Sequence, residues 1–298
     1  MSMSRRELFA AGTVLGVSAL GLAACSTASD STAGTTPTTP PQTSKLISVE
    51  QNISEITNAL HQRGYTPVTA SSLTTGNSFN GGLMYDVDDS TISGQSYVVQ
   101  TAARVEDVAK RNVPGTLPIF SMLCMDTTTP ALAHQVTDTV MHLLTSVAGL
   151  QAAQLRVTTT DHSAEFFPQL AGLGITRAQI RLRPWATAVA EGSGSGFFAP
   201  KGYPGAPAFP SFSIEHVQSD GTELEMAEIV YGTGAVKVAS AIGPDRVAMA
   251  RNDQATLWDH SIAAFTNAVE GAVQKSGASL PPGYYTILGK EQPATTGA

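Results

Sequence analysis

The first 44 residues offer nothing that a globular core can use, and they confine the fold to the residues beyond position 44. An apolar stretch from Leu8 to Leu22 stands behind Arg5 and Arg6. It is shorter than the ~20 residues of a stable membrane-spanning helix, and Gly12, Gly16 and Gly21 interrupt it. It ends in Leu22-Ala23-Ala24-Cys25. Residues 26–44 read STASDSTAGTTPTTPPQTS, with no apolar periodicity to bury, which marks a disordered tether. A flexible coil of about 20 residues averages roughly 25 Å end to end.

Ser4-Arg5-Arg6-Glu7-Leu8-Phe9, the apolar run and the Leu-Ala-Ala-Cys ending together resemble the signal peptide of bacterial lipoproteins. The arginines hold the start of the leader on the cytoplasmic side, and small Ala23 and Ala24 suit a narrow peptidase site. The resemblance implies cleavage before Cys25, a diacylglyceryl thioether on its sulfur, and often a third acyl chain of the palmitate kind. Two or more chains tether a protein firmly where one does not. The start is also similar to a twin-arginine translocation signal, Ser/Thr-Arg-Arg-x-Phe-Leu, with Leu8 and Phe9 in swapped order. That likeness implies export of an already folded domain. Ser26 rather than Asp at the second mature position resembles lipoproteins passed on to the outer membrane. The implied location is the cell envelope, on the outer side of the cytoplasmic membrane or at the outer membrane facing the periplasm. The chain then divides into a signal peptide (1–24), the lipidated Cys25 and its tether (25–44), a globular domain (45–289) and a disordered tail (290–298).

A hydrophobic content of 42% with periodic segments gives the domain a core. Removing Arg5, Arg6 and Glu7 with the leader leaves 15 basic and 23 acidic residues, a net charge of −8. That balance argues against nucleic acid or anionic lipid as the main partner. With Cys25 given to lipid, Cys124 has no disulfide partner and reads as a small core residue of a buried strand.

Three helices are predicted. Ser48 opens the first, with Gln51 completing a capping box and Val49, Ile53, Ile56 and Leu60 forming its stripe. The second starts at Thr129-Pro130 and carries Leu132, Val136, Val140, Leu143 and Val147. The third carries Trp258, Ile262, Phe265, Val269 and Val273, and a shorter one covers Val105 to Arg111. Strands are expected at 65–70, 83–87, 97–101, 117–122, 154–159, 179–183, 212–217, 225–231, 235–241 and 284–288. Residues 212–241 read as an antiparallel meander with turns at Ser219-Asp220-Gly221 and Gly232-Thr233-Gly234. The pattern is α+β, a mixed and largely antiparallel sheet with helices packed mainly on one face. The alternative, a doubly wound parallel sheet, lacks its Gly-rich strand-to-helix turn.

Ala153-Gln154-Leu155-Arg156-Val157 recurs 25 residues later as Ala178-Gln179-Ile180-Arg181-Leu182. Alternation along a strand turns Leu155, Val157, Ile180 and Leu182 to the core. Gln154, Arg156 and Thr158 then share the other face with Gln179, Arg181 and Arg183. If the strands are neighbours, three guanidinium groups and two amides form one patch, with Trp185 beyond Pro184 as a stacking wall. Arginine forks suit carboxylate, phosphate or sulfate, and amides suit sugar hydroxyls. The competing reading pairs these arginines with Glu223, Glu225 or Glu228 across the sheet. The loop from Glu191 to Pro210, with five glycines, four prolines and Phe197, Phe198, Tyr203 and Phe209, reads either as a binding loop or as a cover packed on the domain.

No cofactor and no metal site is expected. Asp86-Val-Asp88-Asp89-Ser90 fails as an EF-hand, because Thr91 replaces its glycine and Tyr97 its bidentate Glu. His134 and His142 stand about 12 Å apart on one helix, too far for one metal. His61 lies on a helix flank, and Asp161 suits a helix cap. No Gly-x-Ser-x-Gly, His-Glu-x-x-His or Cys-x-x-Cys occurs. The expected function is that of an envelope lipoprotein that binds an envelope protein, a glycan or a polar or anionic small molecule. The site would be Arg156, Arg181, Arg183, Gln154, Gln179 and Trp185. The alternative is an exported hydrolase or lyase acting on an envelope polymer, with paired carboxylates assisted by His216 or His162.

Overall fold

The computed structural model describes residues 46–70, 73–75, 78–79, 95–110, 112–127, 132–191, 196–198, 209–231 and 238–276. The leader, Cys25, the tether, Thr129-Pro130, Asp86–Ser90, the strands expected at 83–87 and 284–288, most of the Glu191–Pro210 loop and the 290–298 tail lie outside them.

Eleven strands are described: β1 (Thr66–Pro67), β2 (Thr74–Thr75), β3 (Ser78–Phe79), β4 (Gln95–Ala103), β5 (Ile119–Thr127), β6 (Leu155–Thr160), β7 (Ile180–Arg183), β8 (Phe197–Phe198), β9 (Phe209–Val217), β10 (Glu223–Tyr231) and β11 (Val238–Ile242). β2 and β3 form a separate small hairpin. The others build one sheet in the order β1-β4-β5-β11-β10-β9-β6-β7, with β8 on β9. Its centre is antiparallel, and parallel pairs, β1 with β4 and β6 with β7, close the two ends. The fold is α+β on a mixed, largely antiparallel sheet, as the sequence pattern predicts.

One face of the sheet carries Leu123, Met125, Leu155, Val157, Phe212, Ile214 and Ile229, all fully or nearly fully buried. Against it lie α1 (Val49–Gln62), α2 (Ala133–His142), α3 (Phe167–Gly172) and α5 (Pro244–Arg251), which contribute Ile56, Leu60, Val136, Val140, Leu170, Val247 and Met249 to one cluster. Ser48 caps α1, its hydroxyl accepting from the Gln51 N–H at 3.1 Å. The expected capping box is only half made, because the Gln51 amide donates to Glu55 instead. α2 runs into a π-helical turn, Leu143–Val147, in which the Ala148 N–H reaches the Leu143 carbonyl. α4 (Trp185–Glu191) follows β7, and α6 (Trp258–Ser276) packs Phe265 and Val269 on Ala103 and Val108 as a satellite cluster.

β5 extends past β11, which pairs only with Leu123–Thr127. The overhanging backbone is bonded by side chains. Ser121 N–H donates to Asp245 Oδ2 at 2.7 Å, and the Ser261 hydroxyl both accepts from Ile119 N–H and donates to its carbonyl. Backbone groups left unpaired at such a site would be costly, so two helices are fastened to the sheet where the ladder stops.

Candidate functional site

The face opposite the helices is polar, and the register aligns its residues in rows. One row runs Arg181, Thr158, Ser213, Glu228, Ala241 and Cys124 across β7, β6, β9, β10, β11 and β5. The adjacent row places Arg156, Glu215 and Glu225 side by side on β6, β9 and β10. Strict alternation along β10 would send Glu225 and Glu228 to opposite faces. A β-bulge between Glu225 and Ala227 resets the phase, so both carboxyls share this face.

Glu215 is 7% exposed, and its Oε2 has no hydrogen-bond partner among the described residues. Burial pushes its pKa up to about 8, and the neighbouring Glu225 adds to the rise against a Thr158 hydrogen bond. Glu228 is raised to about 8 by burial and then by Glu225, although the Ser211 hydroxyl donates to it at 2.9 Å. Ser213 lies between them in the sheet, fully buried, with its hydroxyl also unpartnered among the described residues. The Glu225 carboxylate has Arg246 at 3.6 Å. At neutral pH the face therefore presents two protonated carboxyls and several hydroxyls, capable of both donating and accepting hydrogen bonds.

β6 and β7 are neighbours, and Leu155, Val157 and Ile180 point to the core as the repeat predicts. Leu182 does not bury: it is 41% exposed on the edge strand. Arg181 forms a two-pronged ion pair with Glu223. Arg156 folds back, donating to the Leu155 and Ala153 carbonyls at 2.9 and 3.3 Å. Arg183 is half-buried at the edge. Gln179 lies in a 3₁₀ turn (Arg177–Gln179) rather than in the strand. Its amide donates to the Ala152 and Leu155 carbonyls, and its oxygen accepts from Thr176 N–H and hydroxyl. Gln154 ends the corresponding turn before β6 and is exposed. Trp185 stacks on His162, with centroids 4.2 Å apart, and meets the Phe197 ring edge-on. Asp161 does cap a helix, but it is α4: its Oδ1 accepts from Trp185 N–H at 3.1 Å. The expected patch is thus brought together in part, with Arg156, Arg181 and Gln179 already engaged within the chain.

His216 faces the helical layer, across the sheet from Glu215 and Glu228, and His162 is held by Trp185. Neither histidine is brought to those carboxyls. His61 bonds Tyr97 and His134 bonds Gln169. Cys124 is buried, and burial raises its thiol pKa well above the ordinary value, which fits a packing role. Among the described residues no three His, Cys, Asp or Glu side chains converge on a metal site.

No family model matches the chain, and no curated protein does. Among solved structures it is similar to apo S. aureus histidyl-tRNA synthetase at 11% identity and a TM-score of 0.44, over 82% of each chain. It is similar to a pyrrolysyl-tRNA synthetase from Desulfitobacterium hafniense at 13% identity and a TM-score of 0.43, over 70% of each chain. The RNA binding domain of threonyl-tRNA synthetase from Cryptosporidium parvum Iowa II gives 10% identity and a TM-score of 0.44, with 78% of this chain and 74% of that one covered. These are likenesses of architecture.

Proposed function

We propose that the chain is a membrane-anchored cell-envelope lipoprotein whose α+β domain binds a polar ligand on the sheet face opposite its helices. The anchor rests on the leader and Cys25. Among the described residues no helix is long and apolar enough to cross a membrane. The binding role rests on one observation: Ser213 Oγ and Glu215 Oε2 are buried on one face without a partner among the described residues. A buried polar group left so costs about 1–3 kcal/mol, which a ligand's hydroxyl or amide groups would recover. Protonated Glu215 and Glu228 suit a hydroxyl-bearing ligand such as an envelope glycan. An anionic ligand is served less well, because Glu223 already occupies the Arg181 fork.

Two experiments test the two halves. Mass spectrometry of the chain from a bacterial envelope is expected to find acyl chains on Cys25, and an unmodified Cys25 removes the anchor. Calorimetric titration with soluble envelope oligosaccharides should show saturable binding that Ser213→Val abolishes and Glu215→Gln retains, since the amide can still donate. Equal binding by the wild type and Ser213→Val removes the site.

A second reading, a hydrolase or lyase acting on an envelope polymer, has one observation of its own. Two carboxyls with raised pKa beside a third is an arrangement suited to general acid chemistry. It requires polymer cleavage that Glu228→Gln suppresses; intact polymer after prolonged incubation excludes it.

A further inference from the structure

On the other side of the sheet, where β9 ends, a cleft of about 390 Å³ opens, lined by residues including Leu150, Gln154, His216, Ser219, Arg251 and Asp253. That volume lies at the lower end of small-molecule sites. Two helices terminate in its wall. The π-helical extension of α2 stops before Gly149, which takes φ +74°, and α5 stops at Arg251. The C-terminal turns of both helices carry the negative ends of their dipoles.

Asp253, just beyond α5, holds φ +52°, the left-handed region that few residues other than glycine adopt. Its carboxylate accepts the Ser219 hydroxyl and, at 2.9 Å, the Ser219 N–H. These bonds hold its pKa below the ordinary value, so it stays ionised. His216 is 3% exposed, and its Nδ1 has no hydrogen-bond partner among the described residues. Burial lowers the pKa of that ring, leaving it neutral near pH 7. The cation at the rim, Arg251, is engaged with Glu55 at 2.6 Å and Asn52 at 3.0 Å.

The cleft wall therefore sets an ionised carboxylate and two helix C-termini beside a cation already paired with Glu55, and it includes His216 with its unused ring nitrogen. Asp253 and His216 are too few to ligate a metal, and no third such ligand joins them among the described residues. The fitting cation is one that brings its own hydrogen-bond donors. We propose that this cleft binds a small primary ammonium group, whose N–H donors reach the Asp253 carboxylate and the carbonyls at the two helix ends. The site is separate from the sheet face, and a failure of either leaves the other standing.

The test is an NMR titration of the full chain, labelled at histidine, with ethanolamine at low salt and pH 7. Ethylene glycol and acetate serve as neutral and anionic controls. Ethanolamine should shift the His216 ring resonances along a saturable curve, and the two controls should not. Asp253→Asn and Asp253→Gly both accept the left-handed backbone. Each should weaken ethanolamine binding about tenfold. Equal responses to glycol or acetate, no saturable shift, or unchanged affinity in whichever variant folds would overturn the assignment.

Discussion

Arg181 and Glu223 form an ion pair across two intervening strands: Arg181 belongs to the edge strand β7 and Glu223 to β10, with β6 and β9 between them. The two side chains form a strut over the polar face, close enough for the guanidinium to favour the charged form of Glu215. Both ends are substantially open to solvent, at 52% and 33%. The strut therefore adds little stability, and its influence falls on the carboxyl beneath it.

Arg181→Ala should accordingly cost less than about 1 kcal/mol in urea unfolding. The same variant should move the Glu215 titration further up from about 8, because the guanidinium lowers it. Carbon-detected NMR titration of the glutamate carboxyls measures that shift; a Glu215 pKa that stays put or falls would contradict it.

Glu215 and Glu228 also predict how stability varies with pH. Their folded pKa values, about 8, lie above the ordinary 4.5 of an unfolded chain. Between these limits the folded state keeps protons that the unfolded state loses, so stability falls as pH rises from about 4.5 to about 8 and levels off above. Each carboxyl contributes a slope of up to about 1.4 kcal/mol per pH unit. Chemical denaturation across this range should show the decline in the wild type. Glu215→Gln and Glu228→Gln should each flatten it.

Gly196 approaches β6 closely. It takes φ +86°, and a Cβ there would lie 2.6 and 2.7 Å from the Thr159 Cα and carbonyl carbon. Gly196→Ala should destabilise by about 2–4 kcal/mol, combining left-handed strain with backbone overlap. Gly149→Ala, at φ +74° with open space around it, should cost only about 1–2 kcal/mol. Thermal melts of the two variants side by side separate the overlap from the strain.

The Asp245 clasp predicts a further stability effect. Asp245→Ala strands the Ser121 N–H where β5 outruns its neighbour, at a cost of about 1–3 kcal/mol. Hydrogen exchange should accelerate at Ser121 while the paired stretch from Leu123 onward stays protected.

How much of this is legible in the sequence depends on how local its cause is. The echo at 153–157 and 178–182 leaves the adjacency of β6 and β7 open, since a short helix between two strands permits it without requiring it, and the structure pairs them in parallel. The inward turn of His216 is readable, since it stands at period two from Phe212 and Ile214. α5 leaves no stripe to read, because its residues Val247, Ala248, Met249 and Ala250 are buried in succession. Gln179 reads as a strand residue because its neighbours alternate, while its own backbone makes a 3₁₀ turn. The acidic cluster is hidden by the bulge, which no alternation pattern announces.

That bulge turns the length of one strand into chemistry. Met226 is the uncounted residue of β10, the one without an opposite number on β9. Excise it, and Glu225 is followed directly by Ala227, so plain alternation keeps Glu223, Glu225 and Glu228 on the polar face and Leu224 and Ala227 toward the helices. The polar face would keep all three acids, and the core would lose the buried side chain of Met226. Deleting this single methionine should therefore lower the melting temperature through lost core contacts, while Glu215 and Glu228 keep their rows in the sheet.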